Sequence, residues 1–157
     1  MPSVQRSDGL TLSDDRARLD LDLITGWLNG SYWAASRDAD TIRRSIDGSL
    51  PYGVYSAAGQ VAFARAVTDQ ATFCWIADVI VEETHRGHGV GRWMITTILE
   101  QLGALGIARF VLATRDAHGV YEGVGFGPLR FPATWMEIDR RANRPNAADV
   151  RIRATGG

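Results

Sequence analysis

Apolar residues recur along the chain at two spacings, and each spacing predicts one kind of secondary structure. Positions that repeat every three to four residues predict helices, whose ends are marked by aspartates and glycines. One such helix begins at about Asp38 and is stopped by Asp47-Gly48. The predicted helices cover 20–30, 38–46, 90–103 or 90–106, and 117–122.

Short runs rich in Val, Ile, Phe and Tyr, separated by turn residues, predict the strands. The run at 72–81 is almost continuously apolar, as is typical of a central strand covered on both faces, and Asp78 is its exception. A helix joins this run to the one at 109–113, so these two strands should lie parallel. The predicted strands cover 10–13, 52–57, 61–68, 72–81, 109–113 and 134–138.

This order of elements predicts a single-domain α/β protein with a mixed, twisted central sheet flanked by helices. We assign residues 1–139 to the domain. Residues 140–157 contain no repeated apolar positions, so we expect a polar, mobile tail. Exposed edge strands could pair between two copies, which leaves a homodimer open.

Composition and charge exclude several classes of function. Seventeen Lys and Arg offset 18 Asp and Glu, so no overall charge attracts nucleic acid or anionic lipid. No apolar run is long enough to span a bilayer, and the N-terminus lacks the apolar stretch of a secretion signal. The single cysteine, Cys74, lies in an apolar run, and the histidines lack metal-ligand spacing. We therefore expect a cytoplasmic protein with no metal, nucleic-acid or membrane partner.

The most informative segment connects strand 72–81 to the helix that begins at Val90. Its glycines permit unusual backbone dihedrals and let a ligand approach the main chain. The free N–H groups of the first helical turn, together with nearby arginines, favour an anion. The segment thus predicts a diphosphate-binding turn, formed by Arg86, Gly87, His88, Gly89, Val90, Gly91 and Arg92.

Spacing separates three kinds of glycine-rich phosphate site. A P-loop needs a lysine followed by Ser or Thr, and none is present. A dinucleotide fold needs a third glycine where this chain has Arg92. The remaining pattern, Arg-x-x-Gly-x-Gly at Arg86, Gly89 and Gly91, resembles the acyl-CoA turn of the GNAT acetyltransferase superfamily.

A second segment, Ala117 to Phe126, resembles the C-terminal motif of that superfamily, in which a tyrosine on a short helix precedes a Gly-Phe pair. The two motifs cover roughly 73–126. The resemblance implies that acetyl-CoA is the co-substrate and that Tyr121 protonates the departing thiolate. It also implies that Val79 and Val81 pair with the pantetheine arm in a gap between diverging strands, with the Val79 amide facing the thioester oxygen.

Other site residues are less well defined by the sequence. Asp78 is the first candidate for the general base, with Glu82 and Glu83 as alternatives. The other reading of Asp78 is structural, as a residue that caps a bulge or pairs with an arginine such as Arg65. Thr114 stands where related proteins often carry Asn in the cofactor cleft. For the acceptor pocket we expect Tyr32, Trp33, Arg65 and Arg115.

These patterns predict an N-acetyltransferase that transfers an acetyl group from acetyl-CoA to a primary amine, by direct attack in a ternary complex. A small-molecule acceptor is favoured over a protein terminus. The alternatives are a protein N-acetyltransferase and a non-catalytic acyl-CoA-binding sensor, which would keep the turn and dispense with the proton-transfer groups.

Overall fold

A computed structural model describes residues 1–141. Within this range the chain forms a six-stranded sheet and four α-helices, and a compact unit covers Met1–Gly127. The strands are β1 Val4–Gln5, β2 Thr11–Ser13, β3 Leu50–Ser56, β4 Gly59–Thr68, β5 Cys74–Val81 and β6 Phe110–Val111. The helices are α1 Leu21–Asn29, α2 Ala39–Asp47, α3 Val90–Gly103 and α4 His118–Glu122.

The strands lie in the sheet in chain order, β1 to β6. Neighbours are antiparallel except for β5 and β6, which are parallel and connected through α3. This confirms the predicted mixed sheet and the predicted parallel pair. No described helix is both long and apolar enough to cross a membrane.

Two apolar clusters hold the helices to the sheet. Ile24 and Leu28 of α1 and Ile42 and Ile46 of α2 pack with Phe63 of β4. The larger cluster joins α3 to β3, β4 and β5, with the fully buried Met94 and Leu102 at its centre. Cys74 belongs to this larger cluster, and burial raises the pKa of its thiol to about 11, which fits a packing role.

Two strand predictions need correction. Residues 134–138 do not form a strand: a 3-10 helix covers Pro132–Thr134, and no further regular element follows within the described residues. Pro132 at the helix start favours that turn, because its fixed φ suits a helical first position. Strand β1 was not predicted, since a two-residue strand leaves no alternating pattern to detect. The predicted tail 140–157 lies almost entirely outside the described residues.

Candidate active site

Strand β5 is paired on both sides at its beginning, loses β6 after Trp75, and has an interruption in its pairing with β4 before that pairing resumes at Ile80 and Val81. Parallel pairing with β6 is restricted to Cys74 with Phe110 and Trp75 with Val111. On the other side, the register with β4 passes from Ala77 directly to Ile80. Within the described sheet Val79 therefore has no registered partner in either neighbour, and the edge of β5 that faces β6 has no neighbouring strand after Trp75.

A β-bulge at Asp78 causes this interruption. Asp78 has a φ of 54°, in the left-handed region that aspartate tolerates better than most residues. Bulges of this kind re-aim side chains and end strand pairing, and they are common beside functional sites. The extra residue in β5 sends the Asp78 side chain toward the loop that follows α1.

The buried carboxylate of Asp78 accepts hydrogen bonds from three side chains. Arg65 donates to Oδ2 at 2.6 Å, Arg37 donates to both oxygens at 2.9 Å, and the indole of Trp33 donates to Oδ1 at 3.1 Å. Burial alone would raise the pKa of Asp78, but the two guanidiniums outweigh it and hold the pKa below its ordinary value. The ion pair with Arg65 is thus present, and the carboxylate is a weaker base than an exposed aspartate.

The glycine-rich turn opens α3 without any capping side chain. Gly89 is the N-cap residue with a φ of 71°, and Gly87 also has a positive φ of 79°. A side chain on either would meet no atom within 4 Å, so both positions border open space. At Gly91 a Cβ would contact Val81 at 3.4 Å, which shows how closely α3 approaches the end of β5.

The arginines of the turn are bonded to the main chain around it. Arg86 donates from Nε to the carbonyl of Val81 at 2.9 Å, and Arg92 donates to the carbonyl of Gly123 at 2.8 Å. The second bond ties the start of α3 to the end of α4. The side chain of Val90 is buried in the core, so only its main chain can face a ligand.

Arg6, which the sequence did not single out, also reaches this turn. Its guanidinium donates to the carbonyl of His88 at 2.6 Å and lies 5.8 Å from the ring centre of Trp93. It also pairs with Asp8 at 3.2 Å. A contact across 82 residues of sequence leaves no local pattern, so only the fold could reveal it.

Tyr121 lies on α4 and is half-buried against the larger core cluster. Its ring meets Phe126 edge-to-face, with the centroids 6.0 Å apart, and Gly125 has the positive φ needed for the chain to turn back there. Burial, with smaller contributions from the nearby Tyr32 phenol and Asp116 carboxylate, raises the pKa of Tyr121 to about 12. The phenol therefore stays protonated at neutral pH.

Tyr32 and Arg115 form the exposed edge of the site. The guanidinium of Arg115 stacks over the Tyr32 ring at 3.7 Å, and the Arg115 amide donates to the Tyr32 hydroxyl at 3.2 Å. Thr114 accepts a hydrogen bond from the Ala117 amide at 3.1 Å, just before α4. The cofactor contact expected for Thr114 stays a prediction.

The fold brings most predicted site residues to the diverging end of β5. The bulge, the glycine-rich turn, α4 and the Tyr32-Trp33 loop all border it, although they are far apart in sequence. Such a site combines an uncapped helix start with unpaired strand backbone beside a protonated phenol. That combination is typical of the class of proteins that bind an extended ligand carrying a diphosphate.

Comparison with known proteins gives the same class. The sequence pattern described as "Acetyltransferase (GNAT) family" matches residues 13–126, which span most of the chain. The chain therefore belongs to the GNAT acetyltransferase family, and it is an N-acetyltransferase by that membership.

Individual relatives support this placement. A crystal structure from Xanthomonas campestris, named a "putative acetyltransferase belonging to the gnat family", is 38% identical, with a TM-score of 0.78, over 83% of this chain and 92% of that chain. A protein of Gibberella zeae named a "putative acetyltransferase" is 29% identical over 67% of this chain and 71% of its own length. Glucosamine-6-phosphate N-acetyltransferase from Arabidopsis thaliana shares the fold, at 12% identity and a TM-score of 0.60 over 85% and 99% of the two chains.

Proposed function

We propose that the protein transfers an acetyl group from acetyl-CoA to the primary amine of a small molecule, by direct attack in a ternary complex. The observation that carries this proposal is the uncapped start of α3 beside the part of β5 that has lost its β6 partner. The first feature suits a diphosphate and the second suits the extended amide-bearing arm that follows it in coenzyme A.

The residues of the turn fit the diphosphate of acetyl-CoA. Gly87 and Gly89 leave open space over the N–H groups of the first turn, and the helix start carries partial positive charge. In this proposal Arg86 and Arg92 act chiefly by holding the turn in place through their bonds to main-chain carbonyls. Their charge adds attraction for the anion.

The Val79 main chain is proposed to bind the acyl end. A backbone N–H without a strand partner can donate to the thioester oxygen, where negative charge develops during attack. Because amine and thioester are held side by side, a bimolecular aminolysis becomes an oriented reaction and needs no acyl-enzyme.

Proton transfers complete the reaction. The ammonium loses one proton before attack, the carbon–nitrogen bond then forms, and collapse of the resulting oxyanion breaks the carbon–sulfur bond. We propose that Tyr121 protonates the departing thiolate, since its pKa keeps the phenol protonated. The nitrogen gives up its second proton as the amide forms, and that proton restores the Tyr121 phenol through solvent. Asp78 has three side-chain donors on its oxygens, so we propose that it positions Arg37, Arg65 and Trp33 and that water accepts the amine proton.

The test is to incubate the protein with acetyl-CoA and a panel of amines that includes a peptide with a free N-terminus, and to measure free thiol. We expect acceptor-dependent thiol release with small amines. A protein acetyltransferase would respond to the peptide alone. A sensor would show a thermal shift with coenzyme A and no thiol release above background.

Tyr121→Phe tests the acid directly. We expect kcat to fall by about tenfold to a hundredfold, because general acid catalysis contributes at least that much, with little change in acetyl-CoA binding. The ring, and hence its packing on Phe126, is kept. Steady-state kinetics with a thermal shift as the binding control measure both quantities, and an unchanged kcat removes Tyr121 from the mechanism.

A further inference from the structure

A chain of contacts leads from the segment before α4, the helix that carries Tyr121, to a cluster of arginines. The Arg115 amide donates to the Tyr32 hydroxyl at 3.2 Å, and the Tyr32 ring meets the Trp33 ring edge-on with centroids 5.1 Å apart. The Trp33 indole then donates to Asp78, which binds Arg37 and Arg65. The arginines therefore lie on the acceptor side of the site.

This cluster has more positive than negative charge. Arg37 and Arg65 share a single carboxylate, that of Asp78, whose side chain is only 2% exposed. Arg115 adds a third cation at the edge, and Asp116 beside it adds a second anion, which leaves one net positive charge. Arginine charge that is partly withdrawn from water without a matching anion is unfavourable, so an incoming anion is favoured.

The guanidiniums retain donors for such an anion. Each guanidinium carries five N–H donors, and the bonds to Asp78 use Nη1 of Arg37 and Nε of Arg65. Their side chains are 26% and 13% exposed, so they can be reached from solvent while little of their charge is screened. Asp78 fixes both in place before a ligand arrives.

We infer that the acceptor amine carries a second, anionic group, a carboxylate or a phosphate, which binds Arg37 and Arg65. Arg115, stacked on Tyr32, attracts the same group at the mouth of the site. This inference rests on the proposed function and specifies its substrate class. A carboxylate or phosphate on the acceptor also leaves its amine free to approach the thioester.

The experiment compares amines that differ in the anionic group alone. Thiol release is measured with amino acids beside their carboxamides, and with O-phosphoethanolamine beside ethanolamine. We expect kcat/KM to be about tenfold to a hundredfold higher for the anionic member of at least one pair, as charge-assisted hydrogen bonds give. The pair with the larger ratio identifies carboxylate or phosphate as the preferred group.

Variants assign that preference to the arginines. Arg37→Gln should lower the ratio of anionic to neutral kcat/KM by about tenfold, and Arg37→Lys should restore part of it. Arg44→Gln is the matched control, since Arg44 is an exposed residue of α2 that pairs with Asp40. Arg115→Gln, at an exposed position, should lower the ratio of anionic to neutral kcat/KM by about threefold. If Arg37→Gln does not fold, this variant tests whether the arginines bind the anionic group.

The outcomes separate this inference from the proposed function. Turnover that is equal for neutral and anionic amines overturns the inference and leaves the acetyltransferase intact. An equal loss for both members of a pair in Arg37→Gln shows a merely structural role and also overturns it. No thiol release with any amine overturns the proposed function, and the inference with it.

Discussion

The three long helices, α1, α2 and α3, differ in whether a side chain of the protein accepts from the free N–H groups at their starts. At α1 the carboxylate of Asp20 accepts from the Leu23 amide, and at α2 that of Asp38 accepts from the Thr41 amide. Helix α3 begins at Gly89 with no side-chain cap. The protein supplies an acceptor at two of these helix starts, and at the third we propose that the diphosphate of acetyl-CoA supplies it.

The difference shows how a stabilising feature and a binding feature can arise from the same backbone geometry. Free N–H groups at a helix start must find acceptors, and a capping aspartate is the usual solution. Where the cap is replaced by a glycine with positive φ, the same N–H groups remain directed at the open space beside β5. Five changes, one of them Tyr121→Phe above, test this division of roles.

Gly89→Asp should have the largest effect. Aspartate tolerates the positive φ of this position, but its carboxylate would occupy the anion site, so acetyl-CoA should bind about a hundredfold more weakly or worse. Isothermal titration with coenzyme A measures the change. Gly89→Asn is the matched control, because asparagine has the same size and tolerates the same φ without the charge. Equal losses in both variants would contradict an electrostatic role for this helix start.

Asp78→Asn removes an anion that the protein does supply. Breaking a buried ion pair leaves Arg37 and Arg65 uncompensated, and we expect a loss of about 3 kcal/mol in the free energy of unfolding. Asparagine keeps the left-handed backbone at the bulge. Urea denaturation measures the loss, and a change below about 1 kcal/mol would mean that water screens the cluster.

The same carboxylate predicts a pH dependence of stability. The folded-state pKa of Asp78 lies below its unfolded value, so its contribution is fully present above the unfolded pKa of about 4 and is lost as pH falls through the folded pKa. The wild type should therefore lose more stability in acid than Asp78→Asn. Parallel acid-denaturation curves for the two proteins would contradict this.

Arg6→Gln should weaken acetyl-CoA binding by about tenfold, because it removes both a charge near the anion site and the bond that holds the His88 carbonyl. Titration in low and high salt separates the two contributions, since only the charge is screened. Arg43→Gln, on the exposed face of α2, is the control for a general change in net charge. An effect no larger than that of the control would leave Arg6 without a role at the turn.

Asp38→Ala should have the smallest effect. Loss of the N-cap carboxylate should lower the Tm slightly, and acetyl-CoA binding should be unchanged because α2 does not border the glycine-rich turn. Thermal unfolding and coenzyme A titration measure the two quantities. A weakened titration would show that the helix starts are not independent.

The sequence predicted those features that depend on local pattern. Four helices, the β3–β4 hairpin and the parallel β5–β6 pair follow from spacing and turn residues, and the structure confirms them. The glycine-rich turn can be recognised in the sequence because positive φ angles and unbonded N–H groups require glycine at fixed positions. The Asp78–Arg65 ion pair was foreseen as one alternative, since Asp78 stands alone in an apolar strand.

Contacts between distant segments could not be predicted from local sequence patterns. Arg6 at His88, Arg37 at Asp78 and Arg92 at Gly123 join residues whose partners are set by the path of the chain and not by neighbours in sequence.

The left-handed residue at 78 has one more effect, on the inward and outward alternation of β5. Before it, the even-numbered Cys74 and Ile76 pack toward α3, whereas after it the odd-numbered Val79 and Val81 do so and Ile80 packs with α1 and α2. A single inserted residue thus reverses the phase of the strand. Strand β5 therefore contributes apolar side chains to the core beneath α3 both before and after the bulge. It still places Asp78 on the opposite side of the sheet.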